Sequence, residues 1–303
     1  MKKNIALITS IPSENNYLPF HLTLQKILQD RFNVNMDLYR NGEFICFWDS
    51  GNKRILYHKQ EFHPEQYNLA LIRLAIKASH CGDHYILREF ENCNIPVINP
   101  SQALGNARDK LHTLQSLSNN NIPMTPTVIV RTREQIDNAL QILGEPPYIV
   151  KNCFGSGGRC VLQATTKAQV YSFFDYVWHI DRNEILMLQP YINTHPVSDV
   201  RALYFAGKLW RAMVRQASGE EFRANVKLGA TTTPTTLTKE EDAICQKAVK
   251  ITGLVLAGVD FLRTPSGMYL LEINGCPGLT GLAKAYAPKV SIIEELAELL
   301  YNY

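Results

Sequence analysis

Two carboxylates and an amide near the end of the chain are spaced to gather on one face of a sheet. Asp260 closes the apolar run 255–259, and Glu272 and Asn274 follow the run 269–271. Segments 255–263 and 268–274 are rich in β-branched and aromatic residues and read as strands. Pro265-Ser266-Gly267 between them predicts a three-residue hairpin loop that pairs Thr264 with Met268. Counted back in that register, Asp260 falls opposite Glu272, and strand alternation puts Asn274 on the same face as Glu272. Directly facing carboxylates repel, so a cation is expected between them. Hard oxygen donors without sulfur or imidazole suit magnesium, which keeps waters and binds substrate phosphates. A solvated pair is the plain alternative. The apolar neighbours argue for burial, where charges are paired or metal-bound.

Other residues extend that chemistry toward phosphate. Lys151 ends an apolar strand just before Phe154-Gly155-Ser156-Gly157-Gly158-Arg159, and Lys110 sits on a helix expected over 103–119. Lysines act on phosphate as point charges, and glycines let backbone N–H groups approach it. The loop is not GxxxxGK[ST], so a simple hairpin turn explains its glycines as well. Gln189-Pro190-Tyr191-Ile192 is an extended stretch that either joins two units or offers backbone groups to an adenine edge. Asp199, Arg201 and Arg215 fall on or beside strands expected over 200–205 and 208–214. An arginine there is either solvated or clamps phosphate bidentately.

The elements that must position these residues alternate through the first third. Strands are expected over 5–10, 34–39, 69–75 and 95–98, helices over 18–30 and 83–93, and a small hairpin over 44–58. This pattern predicts an open α/β layer. No GxGxxG follows the first strand, so no dinucleotide site is expected there. Ser101 is placed to cap the 103–119 helix. Beyond it come strands over 127–131, 148–151, 160–163 and 185–189, with helices over 133–143 and 169–178. Residues 231–236 read as a threonine-rich loop. Thr238 and Glu241 form a capping box for a helix over 239–252, and a last helix covers 290–301.

The totals exclude several classes. The chain has 303 residues, 46% of them apolar and 19% charged, as in ordinary globular proteins, and enough for two or three units. A net charge of +3 gives no case for nucleic acid. No segment reads as membrane-spanning, and the apolar run behind Met1-Lys2-Lys3 is short for a signal peptide. Seven cysteines without a CxxC pair read as reduced thiols, hence a cytoplasmic location.

Taken in order, Lys110 in ARDK, Lys151 in YIVKN, FGSGGR, LQPYI, Asp199-x-Arg201, FRAN, GVDFLR and LEINGCPGL resemble the ATP-grasp superfamily, and within it the RimK-like, ribosomal-protein glutamate ligase type. The resemblance covers essentially the whole chain. It implies a mixed α/β and α+β fold of three subdomains: an N-terminal open α/β domain over 1–98, a central lobe with a glycine-rich lid over 99–190, and a C-terminal lobe over 191–303. It implies ATP-dependent joining of a carboxylate to an amine through an acyl phosphate. Lys110 and Lys151 would hold phosphates, Gly155, Gly157 and Gly158 would lie in the lid, and Gln189, Tyr191 and Ile192 would border adenine. Asp199 would take the ribose, and Asp260, Glu272 and Asn274 two magnesium ions, with manganese as a substitute. Arg201, Arg215 and Asn225 would serve the reacting phosphate, and Arg223 and Arg73 substrate. The implied partners are a glutamate-like amino acid and a peptide, protein or small carboxylate acceptor, and the resemblance adds a homo-oligomer as an expectation. Departures are Pro190 where an acidic residue is common, the FGSGGR loop, and Cys276 beside Asn274. D-alanine–D-alanine ligases, a second reading, resemble one another in carrying an arginine where this chain has Gly258. A non-catalytic nucleotide-binding protein is a third.

Overall fold

The computed structural model describes residues 2–10, 18–74, 84–153, 161–219 and 221–303. The first part runs β1 (Asn4–Thr9), α1 (Leu18–Phe32), β2 (Asn35–Arg40), β3 (Phe44–Asp49), β4 (Asn52–Tyr57), β5 (Gln60–Glu61), β6 (Leu69–Arg73), α2 (Tyr85–Asn92) and β7 (Val97–Ile98). Strands β2-β1-β6-β7 form a parallel sheet in that order, as the alternation predicts. Its central strands are apolar on both faces because both faces are covered. Ala6, Ile8, Ala70 and Ile72 enter one core, and Ile5, Leu7, Leu69 and Leu71 enter another. The hairpin of β3, β4 and β5 packs beside it through a cluster of Tyr39, Phe44, Tyr57, Phe62, Tyr67 and Phe90.

The middle part contains α3 (Ser101–Arg108), α4 (Lys110–Ser118), β8 (Val128–Val130), α5 (Gln135–Leu143), β9 (Tyr148–Asn152), β10 (Val161–Ala164), α6 (Lys167–Ile180) and β11 (Leu186–Pro190). Strands β10-β9-β11-β8 form an antiparallel sheet with its own core around Tyr148, Val150, Val170, Phe174 and Leu188. The helices before it do not share that core. Ala103, Leu104 and Leu117 pack with residues of the first and last sheets.

The helix expected over 103–119 is two helices. Asp109 takes an extended backbone (φ −80°, ψ 101°), and its carboxylate accepts from the Leu111 and His112 N–H groups, capping α4. Ser101 does not cap α3; it is the first helical residue, and its Oγ donates to Glu91.

The last part runs β12 (Ser198–Phe205), β13 (Lys208–Gln216), β14 (Thr231–Thr235), α7 (Lys239–Thr252), β15 (Leu256–Thr264), β16 (Gly267–Asn274), α8 (Thr280–Tyr286) and α9 (Ile292–Asn302). The sheet order is β14-β13-β12-β15-β16, all antiparallel. The threonine cluster expected as a loop is the edge strand β14, as its β-branched side chains allow. The Thr238–Glu241 capping box is present, and Gly253 ends α7 at φ 69°. One face of this sheet buries Val200, Ala202, Val259 and Phe261. The other is apolar at one end, where Leu203, Met213 and Leu256 meet Leu282 and Leu296. At its opposite end stand the charges.

Candidate active site

Asp260 and Glu272 lie directly opposite each other on β15 and β16, by a different route from the one expected. The turn holds two residues, and Thr264 pairs with Gly267, whose φ of 119° suits only glycine. That shifts the register by one. An extra residue, Leu271, then bulges between the Phe261–Leu270 and Asp260–Glu272 pairs and shifts it back. The Asn274 amide donates to Glu272 Oε1 at 2.9 Å, so these two share a face as alternation requires.

Across the sheet, Arg201 on β12 faces Asp260, and Asp199 faces Arg215 on β13. Arg201 clasps Asp260 through both oxygens at 2.7 and 2.5 Å. Arg215 clasps Asp199 through both oxygens at 2.6 Å and also reaches Asp260 Oδ2 at 2.9 Å. Asp260 is 2% exposed and Arg215 5%. Burial opposes the charge on Asp260, but Arg201 and Arg215 outweigh it and hold its carboxyl below the usual carboxylate range. Burial likewise works against the Arg215 charge, and Asp260 and Asp199 more than restore it.

These residues form one wall of a cavity of about 200 Å³. Its lining joins Lys110, Lys151, Gln189, Tyr191, Ile192, Asp199, Arg215, Arg223, Asn225, Asp260 and Glu272, residues well separated along the chain. Lys110 is the first residue of α4, so the break at Asp109 sets its position. Burial pushes the Lys151 ammonium down to about 8; Glu272 pulls it up and Lys110 adds to the fall. Gln189 is buried, and its side-chain amide donates to Thr127 Oγ1 at 2.7 Å. Arg223 is held bidentately by Glu221.

Asn274 lines a smaller adjoining cavity that shares Lys110, Lys151 and Glu272. Arg201 stands behind Asp260, outside the cavity lining. Arg73, at the end of β6, is also off the lining, and its Nη2 donates to the Pro277 carbonyl just past Asn274. Gly155, Gly157 and Gly158 lie outside the described residues. Sequence reasoning missed Thr125, Asn152, Phe222 and Leu262 on the lining. Among the described residues the buried Thr125 hydroxyl meets no hydrogen-bond partner, and nothing in its local sequence marks it.

The model of the RimK-like ATP-grasp domain matches residues 107–300. The chain belongs to the RimK-like ATP-grasp family. It is an ADP-forming ligase that joins a carboxylate to an amine, using ATP. A probable alpha-L-glutamate ligase of Aeromonas salmonicida is 32% identical over 253 residues, covering 83% of this chain and 84% of that one. A probable alpha-L-glutamate ligase 1 of Shewanella denitrificans is 33% identical over 249 residues, covering 82% and 83%. Among solved structures, the ATP-grasp ligase PsnB complexed with a minimal precursor superposes with a TM-score of 0.72 at 16% identity, over 99% of both chains. D-alanyl-alanine synthetase A of Vibrio cholerae gives 0.70 at 19%, over 99% of this chain and 98% of that one. These two likenesses establish the fold as ATP-grasp. Among the described residues, no helix is long and apolar enough to cross a membrane.

Proposed function

We propose that this ligase adds glutamate or a similar acidic amino acid to a carboxylate-bearing acceptor, a peptide, protein tail or small metabolite, in the cytoplasm. The observation that carries the reading is the single cavity on which Lys110, Lys151, Arg215, Asp260 and Glu272 converge. The family resemblance and the names of the relatives supply the substrate class. The division into three units, 1–98, 99–190 and 191–303, belongs to the same proposal; the apolar residues of α3 and α4 pack into the core cluster shared by the first and last sheets.

Asp260, Glu272 and Asn274 fit a magnesium site: two carboxylates and an amide oxygen, hard donors on adjacent strands beside lysines that suit phosphate. Magnesium held by these three side chains, two ions in the proposed reading, would supply positive charge that offsets the charge of the triphosphate. Lys110 and Lys151 hold the triphosphate along the cavity wall. Gln189, Tyr191 and Ile192 border the adenine, with Gln189 fixed by Thr127. Asp199, which accepts both bonds from Arg215 and lines the cavity, takes the ribose. The acceptor carboxylate attacks the γ-phosphorus, ADP leaves, and the amine then displaces phosphate from the acyl phosphate. Arg215 and Asn225 face the transferring phosphoryl group, and Arg223 takes a substrate carboxylate by exchanging it for Glu221. Nothing covalent forms on the chain, so catalysis rests on placement and charge.

A dipeptide ligase of the D-alanine–D-alanine type is disfavoured by Gly258. A Cβ there would lie 2.8 Å from the Pro277 Cβ and 3.3 Å from Leu203, so no arginine fits. The reading is tested by screening amino acids against carboxylate acceptors for phosphate release and weighing the product. One ADP and one phosphate per new amide bond supports it. ATP turnover with no acceptor gaining the mass of an amino acid less one water contradicts it.

A further inference from the structure

The clasp on Asp260 bears on when the proposed metal site can fill. A carboxylate that ligates a cation must present a lone pair to it, yet guanidinium N–H groups fill three of the about four lone-pair positions of Asp260, with Oδ2 taking one bond from Arg201 and one from Arg215. The charges around it do not invite a lone cation either. Arg201, Arg215, Arg223, Lys110 and Lys151 stand against Asp199, Glu221, Asp260 and Glu272, five positive groups to four negative. Arg215 is the group with two loyalties. Its bond pair to Asp199 keeps it in place, while a single contact at 2.9 Å ties it to Asp260. Among the described residues, Arg201 has Asp260 as its one carboxylate partner, and it is not on the cavity lining.

We infer that Arg201 and Arg215 form a clamp that keeps Asp260 closed to a divalent ion until a triphosphate arrives and draws Arg215 away. This rests on the proposed metal role of Asp260. Arg201 is then a positioning residue: it keeps Asp260 ionised and aimed while Arg215 swings between carboxylate and phosphate. Metal and nucleotide enter as a coupled pair, because the polyanion both supplies a new partner for Arg215 and reverses the local excess of positive charge. An enzyme so built does not hold a metal without its nucleotide.

The test measures manganese binding by electron paramagnetic resonance on the full chain, alone and with a non-hydrolysable ATP analogue at fixed free metal. For the wild type the account expects manganese alone to bind at least about tenfold more weakly than with analogue, within the usual range of coupling. Arg215→Met is expected to bind manganese alone about tenfold more tightly than the wild type, with the coupling to analogue reduced to the same extent. Because that variant leaves Asp199 buried without its partner, Arg201→Lys is run beside it. A lysine keeps the charge but makes no bidentate clasp, and the same direction of change is expected with a smaller size. Glu272→Gln serves as the control for the site itself and is expected to weaken manganese binding in both states. Equal affinity with and without analogue in the wild type, unchanged in Arg201→Lys, overturns the clamp while leaving the metal site standing. Unchanged binding in Glu272→Gln overturns the metal site, and the clamp with it.

Discussion

At the scale of single residues, the site works by fixed charge. Removing either carboxylate of the Asp260–Glu272 pair takes away a main electrostatic stabiliser, so Asp260→Ala and Glu272→Ala should each lower amide formation at least about a hundredfold. Steady-state rates with the matched acceptor check this. Asp260→Ala carries a further cost. It leaves Arg201 without its carboxylate partner and Arg215 with half its pairing, and breaking a buried pair of this kind costs about 3–5 kcal/mol. Glu272→Ala, half-buried at the cavity wall, should leave the melting temperature nearly unchanged. Lys151 sets a pH limit. Burial lowers its ammonium to about 8, so the free protein carries that charge below pH 8 and loses it above. The triphosphate binds the charged form, hence kcat/KM for ATP falls as pH rises through about 8. Lys151→Arg keeps its charge throughout and should flatten that upper limb, read from pH profiles of kcat/KM.

At the scale of elements, small local devices aim these groups. Asp109 breaks one predicted helix into two and caps the second, which brings Lys110 to the cavity. Asp109→Ala should cost about 1 kcal/mol of stability, the usual loss for an N-cap, and raise KM for ATP more than it lowers kcat. Thermal melts and initial rates check the two halves of that statement. The hairpin shows what the sequence could and could not tell. Apolar runs, alternation and turn residues were enough to place Asp260 across from Glu272. The pairing is nonetheless reached through a two-residue turn and a bulge at Leu271 whose shifts cancel. A bulge leaves no mark in local composition, because it depends on how neighbouring strands twist. The same holds for β14, where threonines suit either a loop or an edge strand until β13 is there to pair with it. Lys110, Lys151 and the Gln189–Ile192 stretch were legible as candidates, but their meeting in one cavity is a tertiary fact. The double clasp on Asp260 was hidden for the same reason: Arg201 and Asp260 lie far apart in sequence and meet only through the β12–β15 pairing.

At the scale of the whole molecule, the cores divide the chain unevenly. The first and last sheets share apolar clusters, while the middle sheet encloses Tyr148, Val150, Phe174 and Leu188 by itself. A lobe with its own core can open and unfold as a unit. Phe174→Ala, which empties the centre of that core, should cost about 3–5 kcal/mol and loosen the middle lobe first. Hydrogen exchange should show lost protection over 128–190 with little change in β12, β15 and β16. The cavity lies between the lobes, with Lys151, Gln189 and Tyr191 from one side and Asp199, Arg215 and Asp260 from the other. The account as a whole stands on the acyl phosphate that this arrangement is built to form. The most direct measurement uses the acceptor identified by the phosphate-release screen, labelled with oxygen-18 in its carboxylate, and follows the label by mass. The account predicts one labelled oxygen in the inorganic phosphate released for each amide bond made. Phosphate free of label, or label carried into AMP, would contradict it.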